Sequence, residues 1–117
     1  MSHGYYDAYY VRAQKVRRLL LDDFKKIFEK FDLLLTPTSP TPAFKFGDKT
    51  SNPLSMYLAD IYTVSADLAG LPAISFNAGF VQRGGRNLPV GAQLMGNLFD
   101  ESKIFSVGKK LENNQQR

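Results

Sequence analysis

NPLSMYLADIYTVSADLAGLPAISF, residues Asn52 to Phe76, changes its hydrophobic rhythm once, and that change decides the fold class. Asn52 can cap free backbone N–H groups and Pro53 suits the first helical position, so a helix starts here. Leu54, Tyr57, Leu58 and Ile61 recur at helical spacing and predict a buried stripe on a helix that runs to Ala69. Gly70-Leu71-Pro72 then breaks the pattern and delivers the chain to an apolar, strand-like run, Ala73 to Phe76. Asp60 lies just off the stripe, over Met56 and near Val64. A lone carboxylate at the border of an apolar helix is a candidate binding group.

Upstream, Tyr5 to about Phe31 reads as a long amphipathic helix, with Tyr9, Ala13, Val16, Leu20, Phe24, Ile27 and Phe31 on one stripe. Asp22 can pair with Lys25 or Lys26 on its surface. Tyr5, Tyr6, Tyr9 and Tyr10 read as half-buried packing residues with wet hydroxyls, with a ligand pocket as the rival reading. Leu33-Leu34-Leu35, stopped by Thr36-Pro37, predicts a short strand buried on both faces. Three prolines then make TPTSPTPAF, Thr36 to Phe44, an ordered extended loop. Phe46 to Ser51 is a polar linker.

Downstream, the strand from Ala73 continues to about Val81. Gln82 to Asn87 is a turn containing Gly84-Gly85, and Pro89 to Gly96 returns as the second arm of a β-hairpin. Val90, Ala92 and Leu94 alternate there with Gly91, Gln93 and Met95. The small residues Gly91, Ala92 and Gly96 predict close packing over the sheet. Asp100 caps a last helix with Ile104, Val107 and Leu111 inward, and 112–117 forms a polar tail expected to fray. The order helix, strand, helix, strand, strand, helix is that of an α/β fold.

The chain has 117 residues, so it is one domain or part of one. It has no cysteine, which excludes disulfides and thiolate metal sites. No apolar run reaches the roughly 20 residues that a membrane helix needs, so a soluble cytoplasmic chain is the expectation. The net charge of +4 stems partly from Arg12, Lys15, Arg17, Arg18, Lys25, Lys26 and Lys30. These alternate with apolar positions and with Asp22, Asp23 and Glu29, which describes a solvated helix face better than a nucleic-acid surface.

Chemistry is sparse. The single histidine, His3, stands near the chain start and reads as a surface residue. No Ser-His-Asp or Cys-His arrangement can be assembled, and the scattered acids predict no metal site. Ser39 has no His or Lys near it in sequence to act as a base. No catalytic residue is expected in this chain.

Several ordered blocks nevertheless carry a family resemblance. They are Gly4-Tyr5-Tyr6-Asp7-Ala8-Tyr9-Tyr10 with Ala13-Gln14-Lys15-Val16-Arg17, Phe31 to Thr38, Pro53 to Tyr57, Asp60, Leu68 to Ser75, Leu88 to Gly96 and Phe99-Asp100-Glu101. Together they resemble the C-terminal region of the amidase signature family. Within it, the Tyr-rich opening and the Met-Tyr-x-x-Asp block resemble the glutamine-hydrolysing subunits of tRNA-dependent amidotransferases. The resemblance implies 1–117 as a single partial domain, the C-terminal part of an amidase fold with a mixed sheet flanked by helices. It implies glutamine as substrate and a Ser–cis-Ser–Lys triad in an upstream amidase portion. Ammonia then passes to a partner that amidates glutamyl- or aspartyl-tRNA. Subunits B and C are the implied partners, tRNA is met only through them, and ATP and Mg²⁺ belong to the partner rather than to this chain.

Ser39 and Ser75 match no nucleophile position of that family. Asp60 matches the residue that meets the α-ammonium of glutamine, and an ionised carboxylate suits that cation. Asn77 and the Arg83–Asn87 turn depart from the family pattern. Two other readings stand beside this one: a non-catalytic interaction module derived from an amidase, and part of another amidase acting on a small amide. Open strand edges predict that the isolated chain associates.

Overall fold

The structure, a computed structural model, describes residues 3–48 and 52–115. The side chains of His3, Tyr5 and Gln115, the end of the polar linker (49–51) and the end of the tail (116–117) lie outside the described residues, so the packing read for Tyr5 falls there too. Among the described residues, four helices, α1 (His3–Lys30), α2 (Pro53–Ala59), α3 (Val64–Ala69) and α4 (Glu101–Gln115), accompany three strands, β1 (Leu33–Pro37), β2 (Ala73–Arg83) and β3 (Arg86–Gly96). The strands form one antiparallel sheet in the order β1-β3-β2, so β3 is central and the other two are edges.

The hairpin of β2 and β3 is where the sequence predicts it. Gly84 and Gly85 form its two-residue turn with φ of +61° and +77°, the mirror-image geometry that matches strand twist and that glycine adopts without strain. Farther in, the pairing jumps from Gly79↔Val90 to Asn77↔Gly91, leaving Ala78 as an extra residue in β2. The Asn77 side chain stabilises this bulge by accepting a hydrogen bond from the Gly79 N–H at 2.7 Å.

Alternation along β3 sorts its side chains between two layers. Leu94 and its β2 partner Ile74 face α4, which sits close because a Cβ on Gly108 would lie 2.5 Å from Ile74 Cδ1. Ile104 on the same helix is 1% exposed. Met95 faces the other way, into a cluster with Ala66, Ala69 and Leu71, covered by Leu20, Leu21, Phe24 and Phe28 of α1. Replacing Ile104 by Ala should therefore lower unfolding free energy by about 2–4 kcal/mol, read as a drop in the urea midpoint at unchanged slope. A loss below about 0.5 kcal/mol would mean that α4 does not seal this face.

Several expectations need correction. The single helix from Pro53 to Ala69 is broken into α2 and α3 by a turn at 60–63. Ile61, Thr63 and Val64 are β-branched, and the Thr63 hydroxyl donates to the Asp60 carbonyl, so the local chemistry disfavours continuous helix. The predicted buried stripe is exposed: Leu54, Tyr57, Leu58 and Ile61 all face water, Tyr57 at 78%. On α1 the covered residues are Leu20, Leu21, Phe24 and Phe28, while Tyr9, Val16 and Phe31 of the predicted stripe lie open. Tyr6, Tyr9 and Tyr10 are more than half exposed. Asp22 pairs back to Arg18 at 3.4 Å rather than forward. β1 is an edge strand with Leu35 60% exposed, not a strand covered on both faces. α4 runs on to Gln115, into the polar tail.

These corrections share a cause. Periodicity reveals which face is apolar; it does not reveal whether the cover belongs to the same polypeptide. The molecule is a slab of 56 × 41 × 18 Å with a radius of gyration of 17.6 Å, against about 13.4 Å for a compact domain of this length. Its 9085 Å² of accessible surface exceeds the roughly 6,400 Å² expected of a folded 13.1-kDa monomer. Exposed apolar side chains such as Leu54, Tyr57 and Phe46 contribute to that excess.

Candidate functional site

Asp60 ends α2, with φ −100° and ψ 9°, and opens the turn to α3. Its carbonyl collects three donors: Thr63 N at 3.1 Å, Val64 N at 3.0 Å and Thr63 Oγ1 at 3.3 Å. The backbone at Asp60 is thus pinned while its carboxylate is exposed and makes no ion pair among the described residues. A fixed anchor point with a free anion is suited to an ammonium ligand.

The turn rests on the sheet through Gln93. This residue occupies the centre of β3, is 4% exposed, and lies between Met95 and Gly91 on the α1–α3 face. Its Nε2 donates to the Tyr62 carbonyl at 2.9 Å and to Thr36 Oγ1 at 3.1 Å. The Tyr62 carbonyl can only accept, which settles the orientation of the amide. Thr36 in turn donates its hydroxyl to the Pro37 carbonyl at 3.0 Å, so the chain of donors is self-consistent.

Across the strands Thr36, Gln93 and Ser75 stand in one row, and Gly91 stands opposite Asn77 nearer the bulge. Ser75 Oγ and Thr38 Oγ1 are 2.7 Å apart. Gly91 is required beneath them, because a Cβ there would lie 2.8 Å from Thr38 Oγ1 and 3.1 Å from Ser75 Oγ. This row opens into a cleft of about 490 Å³ that includes Thr38, Ser39, Thr41, Ser75 and Asn77 in its lining. The Arg83 guanidinium holds the proline-rich wall of the cleft by donating to the Ala43 carbonyl.

None of the residues lining that cleft is basic or acidic, so its hydroxyls have no partner there to take a proton. Ser39 and Ser75 are among the residues that line it. No group of three or more His, Asp or Glu among the described residues is placed to hold a metal ion. No described helix is long and apolar enough to cross a membrane.

Sequence reasoning singles out Asp60 and misses Gln93, Thr36 and Thr38. The signal was present: Gln93 is a long polar residue in phase with Met95, on a strand predicted to carry a core face. A buried amide has to find partners, and here those partners belong to β1 and to the turn beside Asp60.

Comparison with known proteins bears on the family and the fold. The sequence profile of the family described as Amidase matches residues 1–105. The A subunit of the glutamyl-tRNA(Gln) amidotransferase of Coxiella burnetii is 55% identical over 107 residues, covering 92% of this chain and 21% of that protein. The protein of the same name from Carboxydothermus hydrogenoformans is 56% identical over 116 residues, covering 99% of this chain and 23% of its own length. The crystal structure of the corresponding Thermotoga maritima protein superposes with a TM-score of 0.82 at 44% identity, covering 96% of this chain and 24% of that one. The chain thus spans about a fifth of the length of the curated relatives it matches. With a profile match over nearly its whole length and the same fold as a solved relative, the chain belongs to the Amidase family.

Proposed function

We propose that this chain is the C-terminal part of the glutamine-hydrolysing subunit of a tRNA-dependent amidotransferase. The observation that carries the reading is identity above half with amidotransferase relatives over 92% or more of the chain. In this reading Asp60 anchors the α-ammonium of glutamine. The attacking hydroxyl and its base come from an upstream amidase portion. The ammonia released there is passed on to amidate the glutamyl group of a misacylated tRNA. The parent enzyme acts in the cytoplasm with subunits B and C. ATP and Mg²⁺ serve the partner subunit, where the acyl group is activated, and tRNA meets this chain only indirectly.

The residues present support this division of labour. Asp60 supplies a charge, the turn supplies its position, and the hydroxyl-lined cleft supplies polar walls without a proton acceptor. Such a set recognises an amino acid and does not cleave it.

The test uses the full-length parent enzyme in its complex, with ammonia release from glutamine as readout. Replacing Asp60 by Ala leaves a desolvated ammonium without its counter-charge, a loss of about 2–5 kcal/mol, or roughly 30- to 5,000-fold in kcat/KM. Most of that loss should appear as a higher KM. An unchanged KM for glutamine would remove Asp60 from the site, and absence of any glutamine-dependent ammonia from the wild-type complex would overturn the reading as a whole.

A further inference from the structure

We infer that Gln93 is a positioning residue for the ammonium anchor: it holds the 60–63 turn at the height above the sheet at which Asp60 meets its ligand. The inference rests on the proposed role of Asp60 and deepens it.

α2 buries none of its residues, so packing does little to set where it ends. The turn that follows is internally tied, through the bonds to the Asp60 carbonyl, but those bonds fix its shape and not its place. Among the described residues, the bond from Gln93 Nε2 to the Tyr62 carbonyl is the hydrogen bond that joins this turn to the sheet. Only Ile61 stands between Asp60 and Tyr62, so a shift of the one is transmitted to the other through the closed turn.

The other end of the lever is firm. Gln93 lies on the central strand, paired on both sides, with Leu94 and Met95 among the most buried residues of the chain. Its second donor is spent on Thr36, whose own hydroxyl is committed to Pro37, so the amide is oriented from two directions. A buried amide with both N–H groups used has little freedom to turn, and losing either partner leaves a donor unsatisfied. The side chain is thus neither free surface nor apolar filler. It is a strut from the rigid layer to the segment that carries the charge.

The strut acts on one substrate group only. Asp60 addresses the α-ammonium, so a slack turn should weaken glutamine while leaving a substrate without that ammonium untouched. 5-Amino-5-oxopentanoate keeps the amide and the chain of glutamine and lacks the amino group. It therefore reports on everything except the anchor.

The experiment compares kcat and KM for both compounds in the full-length complex, for wild type, Gln93→Met and Asp60→Asn. Gln93→Met keeps the volume and removes both donors. It should raise KM for glutamine about tenfold, with kcat altered less than twofold, and leave kcat/KM for 5-amino-5-oxopentanoate within about twofold of wild type. Asp60→Asn should show the same selectivity with a larger rise. If Asp60→Asn is selective and Gln93→Met affects both compounds equally, or neither, the strut is refuted and the anchor stands. If Asp60→Asn itself is not selective, the anchor fails and the strut with it. Should Gln93→Met not assemble, Gln93→Asn replaces it: its amide is one methylene too short to reach Tyr62 and Thr36 together, and an unaltered ratio between the two compounds overturns the proposal.

Discussion

Mixed with the separately produced upstream portion of its parent enzyme, the 117-residue chain should convert two silent preparations into one that releases ammonia from glutamine. On the proposed reading, the free chain should be silent in that assay. Its exposed hydroxyls line a cleft without a base, and its one histidine stands at position 3, at the far end of α1 from the sheet. The upstream portion, on the proposed reading, holds the nucleophile and its proton relay but no ammonium anchor. The two parts have a physical reason to find each other. α2, the open half of α1 and the edge strands present many exposed apolar side chains, and at roughly 25 cal/mol per Å² their burial is a strong drive to association. Turnover should appear at equimolar mixing and fall by at least about tenfold when the added chain carries Asp60→Ala. Ammonia release by the free chain alone would overturn the division of labour. Co-elution of the two parts without activity would overturn the proposed function, and salt-sensitive tRNA binding by the free chain in that case would favour a non-catalytic interaction module.

Without that upstream portion, the chain should not remain monomeric. β1 and β2 both offer unpaired backbone on their outer sides, and Leu35 on β1 is 60% exposed beside them. An exposed apolar edge is a template for another strand. The faces of the slab add to this, since Leu54, Tyr57, Ile61, Val16 and Leu19 are all exposed. Sedimentation velocity at tens of micromolar should show dimers and larger species whose share grows with concentration, and addition of the upstream portion should suppress them. A single monomeric boundary across that range, with strong amide protection in both edge strands, would mean that the slab is self-sufficient.

Element type was legible in the sequence because it depends on local chemistry. Asn52-Pro53 starts α2 with Asn52 Oδ1 accepting from Leu54 N and Ser55 N, and Gly84-Gly85 closes the hairpin. Gly70-Leu71-Pro72 separates α3 from β2. Burial was read less well, since it depends on what lies beyond the residue. Leu54 and Tyr57 have the spacing of a core face and nothing among the described residues to cover them. The break at 60–63 hinged on the Thr63 hydroxyl competing for the Asp60 carbonyl, a contest that helical periodicity does not register. Gln93 was hidden for the opposite reason. Its partners are Thr36 and Tyr62, distant in sequence, and only the register of the sheet reveals that they meet.

The extra residue in β2 has a bearing on the cleft that its position, between the hairpin turn and the site, does not advertise. Counting inward from Gly79↔Val90 without Ala78 in excess would set Phe76 opposite Gln93 and leave Ser75 opposite Leu94. The Ser75 hydroxyl would then point at α4, and an aromatic ring would crowd the place where it now meets Thr38. One inserted alanine therefore acts as a phase correction. It lets the strand keep its greasy side under α4 near the core and still deliver a hydroxyl, rather than a phenyl ring, to the wall of the cleft.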